Sequence, residues 1–139
     1  AEQRGYSIFK NNCNTCHKEP LFTDFSFRSN GLKPNITSVG TIDSGRGDFM
    51  PFDINNMFKF KVPSLRNLKY TSPYMHDGRF TSLSQVLAHY TGNKPDAQNL
   101  DPLLTNPINL NTQQQDDLLA FLKTLDDAEF VADPKFKQP

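Results

Sequence analysis

Apolar residues recur at helical spacing in three stretches of this chain. From Glu2 to Asn12 the residues Gly5, Phe9 and then Cys13 follow at intervals of four, so they share one face of a predicted helix. Near the other end Leu118, Leu122 and Leu125, with Leu119 and Phe121 beside them, form the buried stripe of another. Thr112-Gln113-Gln114-Gln115 reads as the capping box that starts it, the threonine hydroxyl accepting from the third amide while the glutamine reaches back. Asp116 and Asp117 in its first turn and Lys123 in its last suit the helix dipole. The third helix is predicted from Ser82 to Tyr90. Thr81 or Ser82 can cap it, Gln85 fits the second choice, and Gly92 ends it.

Between these segments the pattern breaks down. Residues 29 to 56 carry Asn, Gly, Ser, Asp and Pro at turn density, with neither a helical nor a strand period. A single helical turn is expected after Pro63, through Ser64 to Leu68, and the tail beyond Asp126, with Pro134, Phe136 and Pro139, reads as an extended strap. No internal repeat is visible. The expected architecture is all-α with long loops, in one domain spanning residues 1–139.

Charge narrows the functional classes. Lys plus Arg and Asp plus Glu number 15 each, so no overall field argues for nucleic acid or an anionic membrane surface. No stretch approaches the roughly eighteen continuous apolar residues of a membrane span.

The chemistry enters with Cys13-Asn14-Thr15-Cys16-His17. C-x-x-C-H is the attachment signature of c-type haem. Each thiol adds to one haem vinyl group, the two-residue spacer places both sulfurs at one porphyrin edge, and His17 supplies the proximal nitrogen to iron. A structural zinc site wants four nitrogen or sulfur ligands, and the chain has two cysteines and three histidines. A thioredoxin-like motif wants a βαβ setting. One covalent haem c, held by Cys13 and Cys16, is therefore expected. Its apolar surface would enlarge a core drawn from a chain that is 36% hydrophobic and has 12 phenylalanines. Thioether attachment takes place outside the cytoplasm, and Ala1-Glu2-Gln3-Arg4 opens directly on a polar helix. A processed product in the periplasm, or otherwise extracytoplasmic, is the expectation.

Further blocks lie in the middle of the chain. Phe60-Lys61-Val62-Pro63-Ser64-Leu65-Arg66-Asn67 is followed by Pro73-Tyr74-Met75-His76-Asp77-Gly78-Arg79-Phe80 and the Leu83–Tyr90 helix. With Pro20 to Asp24, Asp43 to Arg46 and Leu118 to Leu125, these blocks resemble the C-terminal haem domain of the bacterial di-haem cytochrome c peroxidase/MauG family. The resemblance implies a class I cytochrome c-like domain with long loops around one covalent haem, in which a small residue in the first helix permits close crossing with the last. It implies an electron-transfer role, with electrons arriving from a small redox donor protein and passing to a peroxidatic haem domain or chain. A free-standing mono-haem carrier is the alternative. A self-sufficient peroxidase is disfavoured, because no carboxylate or histidine is placed as a distal acid or base. The chain departs from the family in carrying one C-x-x-C-H where members carry two. It also reads Phe27-Arg28-Ser29-Asn30-Gly31 where many relatives read F-H-N-x-G.

Two side chains compete for the sixth iron position, with another ligand or an open site as the remaining readings. Met75 offers a soft thioether, which favours ferrous iron and raises the potential. Tyr90 offers a phenolate, which favours ferric iron, and it occupies the end of the helix where the resemblance places the family's ligand. On the proximal side, the Pro20 carbonyl is expected to accept from the second nitrogen of His17 and fix the ring. Arg66 and Arg79 are candidates for the haem propionates, with surface ion pairs as the other reading. His76 is expected to hydrogen-bond near the site, Asp77 to accept in a turn, and His89 to pack about 100° around the helix from Tyr90. Phe22, Phe25, Phe27, Phe58 and Phe60 are expected in the haem pocket and core, with Met50 and Met57 as filler.

Overall fold

The computed structural model describes residues 1–36, 40–94 and 97–136. In chain order it forms α1 (Glu2–Asn12), β1 (Phe27–Arg28), α2 (Arg46–Phe49), β2 (Phe60–Lys61), α3 (Leu83–Thr91), α4 (Thr112–Lys123) and α5 (Ala128–Ala132). Short 3-10 turns lie at Ile54–Asn56, Leu68–Tyr70, Pro102–Leu104 and Pro134–Phe136.

The first and last long helices cross at Gly5. A β-carbon there would lie 1.9 Å from the Asp117 carbonyl oxygen and 2.8 Å from Cβ of Phe121, so only glycine lets the two backbones approach this closely. The crossing is latched at its rim. Arg4 donates from Nε and Nη2 to the two carboxylate oxygens of Asp117 at 2.7 and 2.8 Å. That hydrogen bond holds the Asp117 carboxyl below its ordinary range. Beneath it sits the core of Phe9, Phe22, Leu87, Leu118, Phe121 and Leu122. Phe9 is fully buried, with its ring 5.2 Å from Phe121 and 5.4 Å from Phe22. Cys13, Leu65 and Leu68 pack on the margin of this cluster, so the core abuts the haem-attachment motif.

α3 starts as expected, with Ser82 accepting from the Gln85 amide, the Gln85 side chain reaching back, and Gly92 as the last cap. The cap of α4 is one residue earlier than the expected Thr112/Gln115 pair. Asn111 accepts from the Gln114 amide and Gln114 accepts from the Asn111 amide, both at 2.9 Å. The two registers share the same pattern, and asparagine is the stronger cap. Gln115 donates instead to the Leu110 carbonyl.

Two other expectations are corrected, and a small ribbon is added to the helices. The turn placed at 64–68 forms at Leu68–Tyr70, because the Ser64 hydroxyl donates to the Leu21 carbonyl and accepts from the Arg66 amide, drawing this stretch into a turn. The tail is not a strap, since Asp127 caps α5 through the Phe130 amide and Asp133 accepts from the Lys135 amide. The helices are joined by a small antiparallel ribbon, β1 on β2, in which Phe27 pairs with Lys61 and Arg28 with Phe60. The expected strap's last residues, 137–139, lie outside the described residues.

Candidate haem-attachment site

α1 delivers the motif. Past its last turn the Cys13 amide donates to the Phe9 carbonyl at 2.8 Å and the His17 amide to the Cys13 carbonyl at 2.9 Å, so Cys13, Cys16 and His17 continue the helical path. Both thiols are half-buried and unbridged. Burial pushes Cys13 up to about 12 and, with weaker charge effects, raises Cys16 as well. Each stays a thiol at neutral pH, as structural cysteines do.

His17 is held from behind. Its Nδ1 donates to the Pro63 carbonyl at 3.0 Å and lies 3.2 Å from the Phe22 carbonyl. Burial lowers the ring's pKa and these carbonyls oppose it. The result is a neutral imidazole with a fixed tautomer and a free Nε2, the form that ligates iron. The expected acceptor, Pro20, is otherwise engaged. Its carbonyl receives Nη2 and Nε of Arg66 at 2.8 and 3.2 Å, a charged double donor that outcompetes an imidazole.

Pro63 reaches the ring because its neighbours are sewn to the loop after the motif. Thr23 donates to the Val62 carbonyl at 2.6 Å, Ser64 to the Leu21 carbonyl at 2.7 Å, and the Val62 amide to the Ser26 carbonyl at 2.8 Å. Phe22 adopts a left-handed φ of 55°, with its ring in the core and its carbonyl beside His17.

Tyr90 is half-buried in the last turn of α3. Burial raises its phenol pKa, a hydrogen bond from Asn30 opposes the rise, and the Cys13 and Cys16 sulfurs lie close enough to add to it. Met75 sits in the turn closed by the Tyr74–Phe80 bridge, at a φ of 72° that a branched side chain would resist. Its Sδ accepts from Nδ2 of Asn30 at 3.6 Å. Asn30, which the sequence reading did not single out, thus holds the Met75 sulfur and is among the groups that act on the Tyr90 phenol. His89 packs as expected, with Nε2 donating to the Asn30 carbonyl at 2.9 Å.

The remaining candidates fall outside this cluster. Arg79 is committed to Asp77 and to the Lys33 carbonyl, the ion-pair reading of the two entertained for it. Asp77 also accepts from the Arg79 amide, as a turn acceptor should. His76 stacks on Phe60 at 3.6 Å rather than hydrogen-bonding at the site. Of the five phenylalanines, Phe22 enters the core, and Phe58 and Phe60 are half-buried. Phe25 and Phe27 are exposed, under Lys61 and Arg46 respectively, because cations cover their faces. Met57 packs against Gly47, and Met50 is exposed.

Arg28 bridges Asp24 at 2.9 Å and Asp101 at 2.8 Å. Burial pushes the Asp24 carboxyl up, but hydrogen bonds from Ser26 and Arg28 outweigh this and hold it at about 2. A carboxylate depressed on folding adds stability above its unfolded pKa, near 4, and loses it as pH falls toward 2. After solvent screening this amounts to on the order of 1 kcal/mol. Denaturant melts of wild type and Asp24→Asn are expected to differ by that amount at pH 6 and to converge at pH 2. A difference independent of pH would contradict the linkage.

This donor set fits a covalently attached haem. Two unbridged thiols share one turn, a neutral imidazole is fixed by backbone carbonyls, and an apolar core adjoins them. Among the described residues no group of three or more His, Cys, Asp or Glu side chains is arranged for a bare metal ion. Nor is any helix among them long and apolar enough to cross a membrane.

Comparison with known proteins agrees. The cytochrome c family matches residues 2–126. The methylamine utilization protein MauG of Methylorubrum extorquens is 40% identical over 128 residues, covering 88% of this chain and 34% of that protein. The cytochrome-c peroxidase IdrP1 of Denitromonas iodatirespirans is 34% identical, covering 96% of this chain and 43% of its own length. Among solved structures, a MauG-like protein associated with microbial copper homeostasis superposes with a TM-score of 0.84 at 32% identity, over 99% of this chain and 50% of that one. The diheme peroxidase BthA of Burkholderia thailandensis shares the fold, with a TM-score of 0.73 at 23% identity, over 94% of this chain and 43% of that one. The chain thus spans a third to a half of the length of these proteins. With a half-length match, a C-x-x-C-H turn and the cytochrome c fold, the chain belongs to the di-haem cytochrome c peroxidase/MauG family.

Proposed function

We propose that residues 1–139 form one cytochrome c-like haem domain that relays electrons to a peroxide-reducing haem located elsewhere. One haem c is bound through Cys13 and Cys16, with His17 and Tyr90 as the axial residues and Met75 as the alternative to Tyr90. When attached, the haem supplies a one-electron ferric/ferrous couple. His17 supplies a proximal nitrogen whose orientation Pro63 and Phe22 fix. Arg66, gripping the Pro20 carbonyl beside the motif, is the propionate partner in this reading.

The observation that carries the proposal is a neutral, carbonyl-oriented His17 on the thioether turn, with the Tyr90 phenol near enough to Cys13 and Cys16 to be affected by their sulfurs. The Pro63 and Phe22 carbonyls fix the His17 ring, and Met75, the alternative to Tyr90, has its sulfur 3.6 Å from Nδ2 of Asn30. Peroxide needs an open position and an acid–base group beside it. A haem held by side chains at both axial positions would suit outer-sphere electron transfer.

Two further observations favour a partner domain. Relatives are two to three times as long as the matched segment. Phe49 and Phe52 stand 87% and 102% exposed beside α2, an apolar feature suited to burial against another surface. A small donor protein in the periplasm would deliver the electrons.

The haem-loaded ferric protein is expected to show a six-coordinate, low-spin spectrum that excess hydrogen peroxide leaves unchanged. A high-spin spectrum that responds to peroxide within seconds would make this domain the peroxidatic one and overturn the relay.

A further inference from the structure

The geometry points to Thr23 and Ser64 as a pair of positioning residues whose hydroxyls hold the Phe22 and Pro63 carbonyls on the Nδ1 proton of His17 and so keep the potential of the haem iron low. This inference rests on the proposal that His17 is the proximal residue, and it is independent of which side chain stands opposite.

One N–H here faces two acceptors. His17 Nδ1 lies 3.0 Å from the Pro63 carbonyl and 3.2 Å from the Phe22 carbonyl. Phe22 is five positions from His17 and Pro63 is 46, so nothing within the C-x-x-C-H turn fixes either oxygen. Pro63 has no amide proton with which to anchor itself, and Phe22 sits at a left-handed φ of 55°. Both carbonyls take their direction from the residues on either side of them.

Those residues are cross-linked in a reciprocal pattern. Thr23, directly after Phe22, donates its hydroxyl at 2.6 Å to the carbonyl of Val62, directly before Pro63. Ser64, directly after Pro63, donates at 2.7 Å to the carbonyl of Leu21, directly before Phe22. The two tethers therefore bracket the two acceptors. Thr23 is the deeper of the pair, at 6% exposed. Its hydroxyl also accepts from the Phe25 amide at 3.1 Å, and its amide donates at 3.1 Å to the carbonyl of Lys18, the residue after His17. Ser64 accepts in turn from the Arg66 amide at 3.2 Å.

A carbonyl on the Nδ1 proton makes the imidazole a stronger donor through Nε2. A stronger donor favours ferric over ferrous iron and lowers the potential. Loosening either tether lets the carbonyls drift from the proton, and the potential rises. A pair that only stapled the loop would alter stability and leave the potential where it was.

The test is made on the haem-loaded full chain with Thr23→Val, Thr23→Ser and Ser64→Ala. Valine keeps the bulk of threonine without the hydroxyl, and serine keeps the hydroxyl. Ser64 is exposed, so Ser64→Ala decides if Thr23→Val fails to fold. Redox titration is expected to show the ferric/ferrous ratio at a fixed potential falling about threefold to tenfold in Thr23→Val and Ser64→Ala. At ~59 mV per tenfold for one electron, that is an upward shift of roughly 28–59 mV. Thr23→Ser is expected to keep the wild-type value. NMR of protein carrying isotope-labelled histidine is expected to show the iron-displaced ring signals of His17 moving in the two shifted variants. If the potentials stay at the wild-type value or fall while those signals remain, Thr23 and Ser64 do not tune the iron, and the His17 assignment stands. A shift in Thr23→Ser as large as in Thr23→Val would likewise overturn the role of the hydroxyl. If wild type shows no histidine ring displaced by iron, the His17 assignment falls and the clamp falls with it.

Discussion

Tyr90→Phe is expected to change the absorption and EPR spectra of the haem-loaded protein and raise its reduction potential, with little loss of stability. The substitution removes one oxygen and nothing else. The ring keeps its edge contact with His89, 5.4 Å between centroids, and the backbone carbonyl still accepts from the Ile108 amide at 3.1 Å. An axial phenolate favours ferric iron, so its loss raises the potential whether Met75 takes its place or the position opens. Met75→Leu, by contrast, is expected to leave both spectra as they are. Unchanged spectra in Tyr90→Phe would show that the phenol does not face the iron.

Gly5→Ala is expected to cost as much stability as truncating a fully buried core side chain such as Phe9. The added methyl would meet the Asp117 carbonyl oxygen at 1.9 Å and its carbon at 2.6 Å. These are backbone atoms in the middle of α4, with no rotamer through which to yield, so the helices themselves have to separate. Overpacking typically costs about 1–3 kcal/mol when side chains can adjust. Here separation also loosens the Phe9–Phe121 contact and stretches the Arg4–Asp117 pair, so a loss of roughly 4 kcal/mol or failure to fold is expected. Denaturant midpoints of the haem-loaded proteins measure it. A variant with a wild-type midpoint would mean that the helices have room to spare.

What the sequence revealed and what it hid divide by range. Gly5, Phe9 and Cys13 announce their shared face because α1 repeats every four residues, and Ser82 with Gln85 announces its cap for the same local reason. Cys13, Cys16 and His17 carry their chemistry within five positions. Pro63 and Asn30 have no such signature. Pro63 meets His17 from 46 positions away, and Asn30 meets Met75 from 45. Each acts through a backbone carbonyl or a plain amide that any loop might contain. The ribbon escaped notice because two residues per strand are too few to establish an alternation. Asn111 and Thr112 offered the same capping pattern one step apart, and only the amide geometry separates them.

That short ribbon has a consequence for the iron. Pro63 lies two residues beyond Lys61 and Asn30 two residues beyond Arg28, and the strands run antiparallel. The carbonyl behind His17 and the amide beside Met75 and Tyr90 therefore leave opposite ends of one hydrogen-bonded unit. In the proposed ligation the Phe27–Lys61 and Arg28–Phe60 register would act as a gauge block between the residues on the two sides of the haem. A slip of one pair would change that spacing by about one residue's rise, roughly 3.4 Å, which no iron–ligand bond could follow.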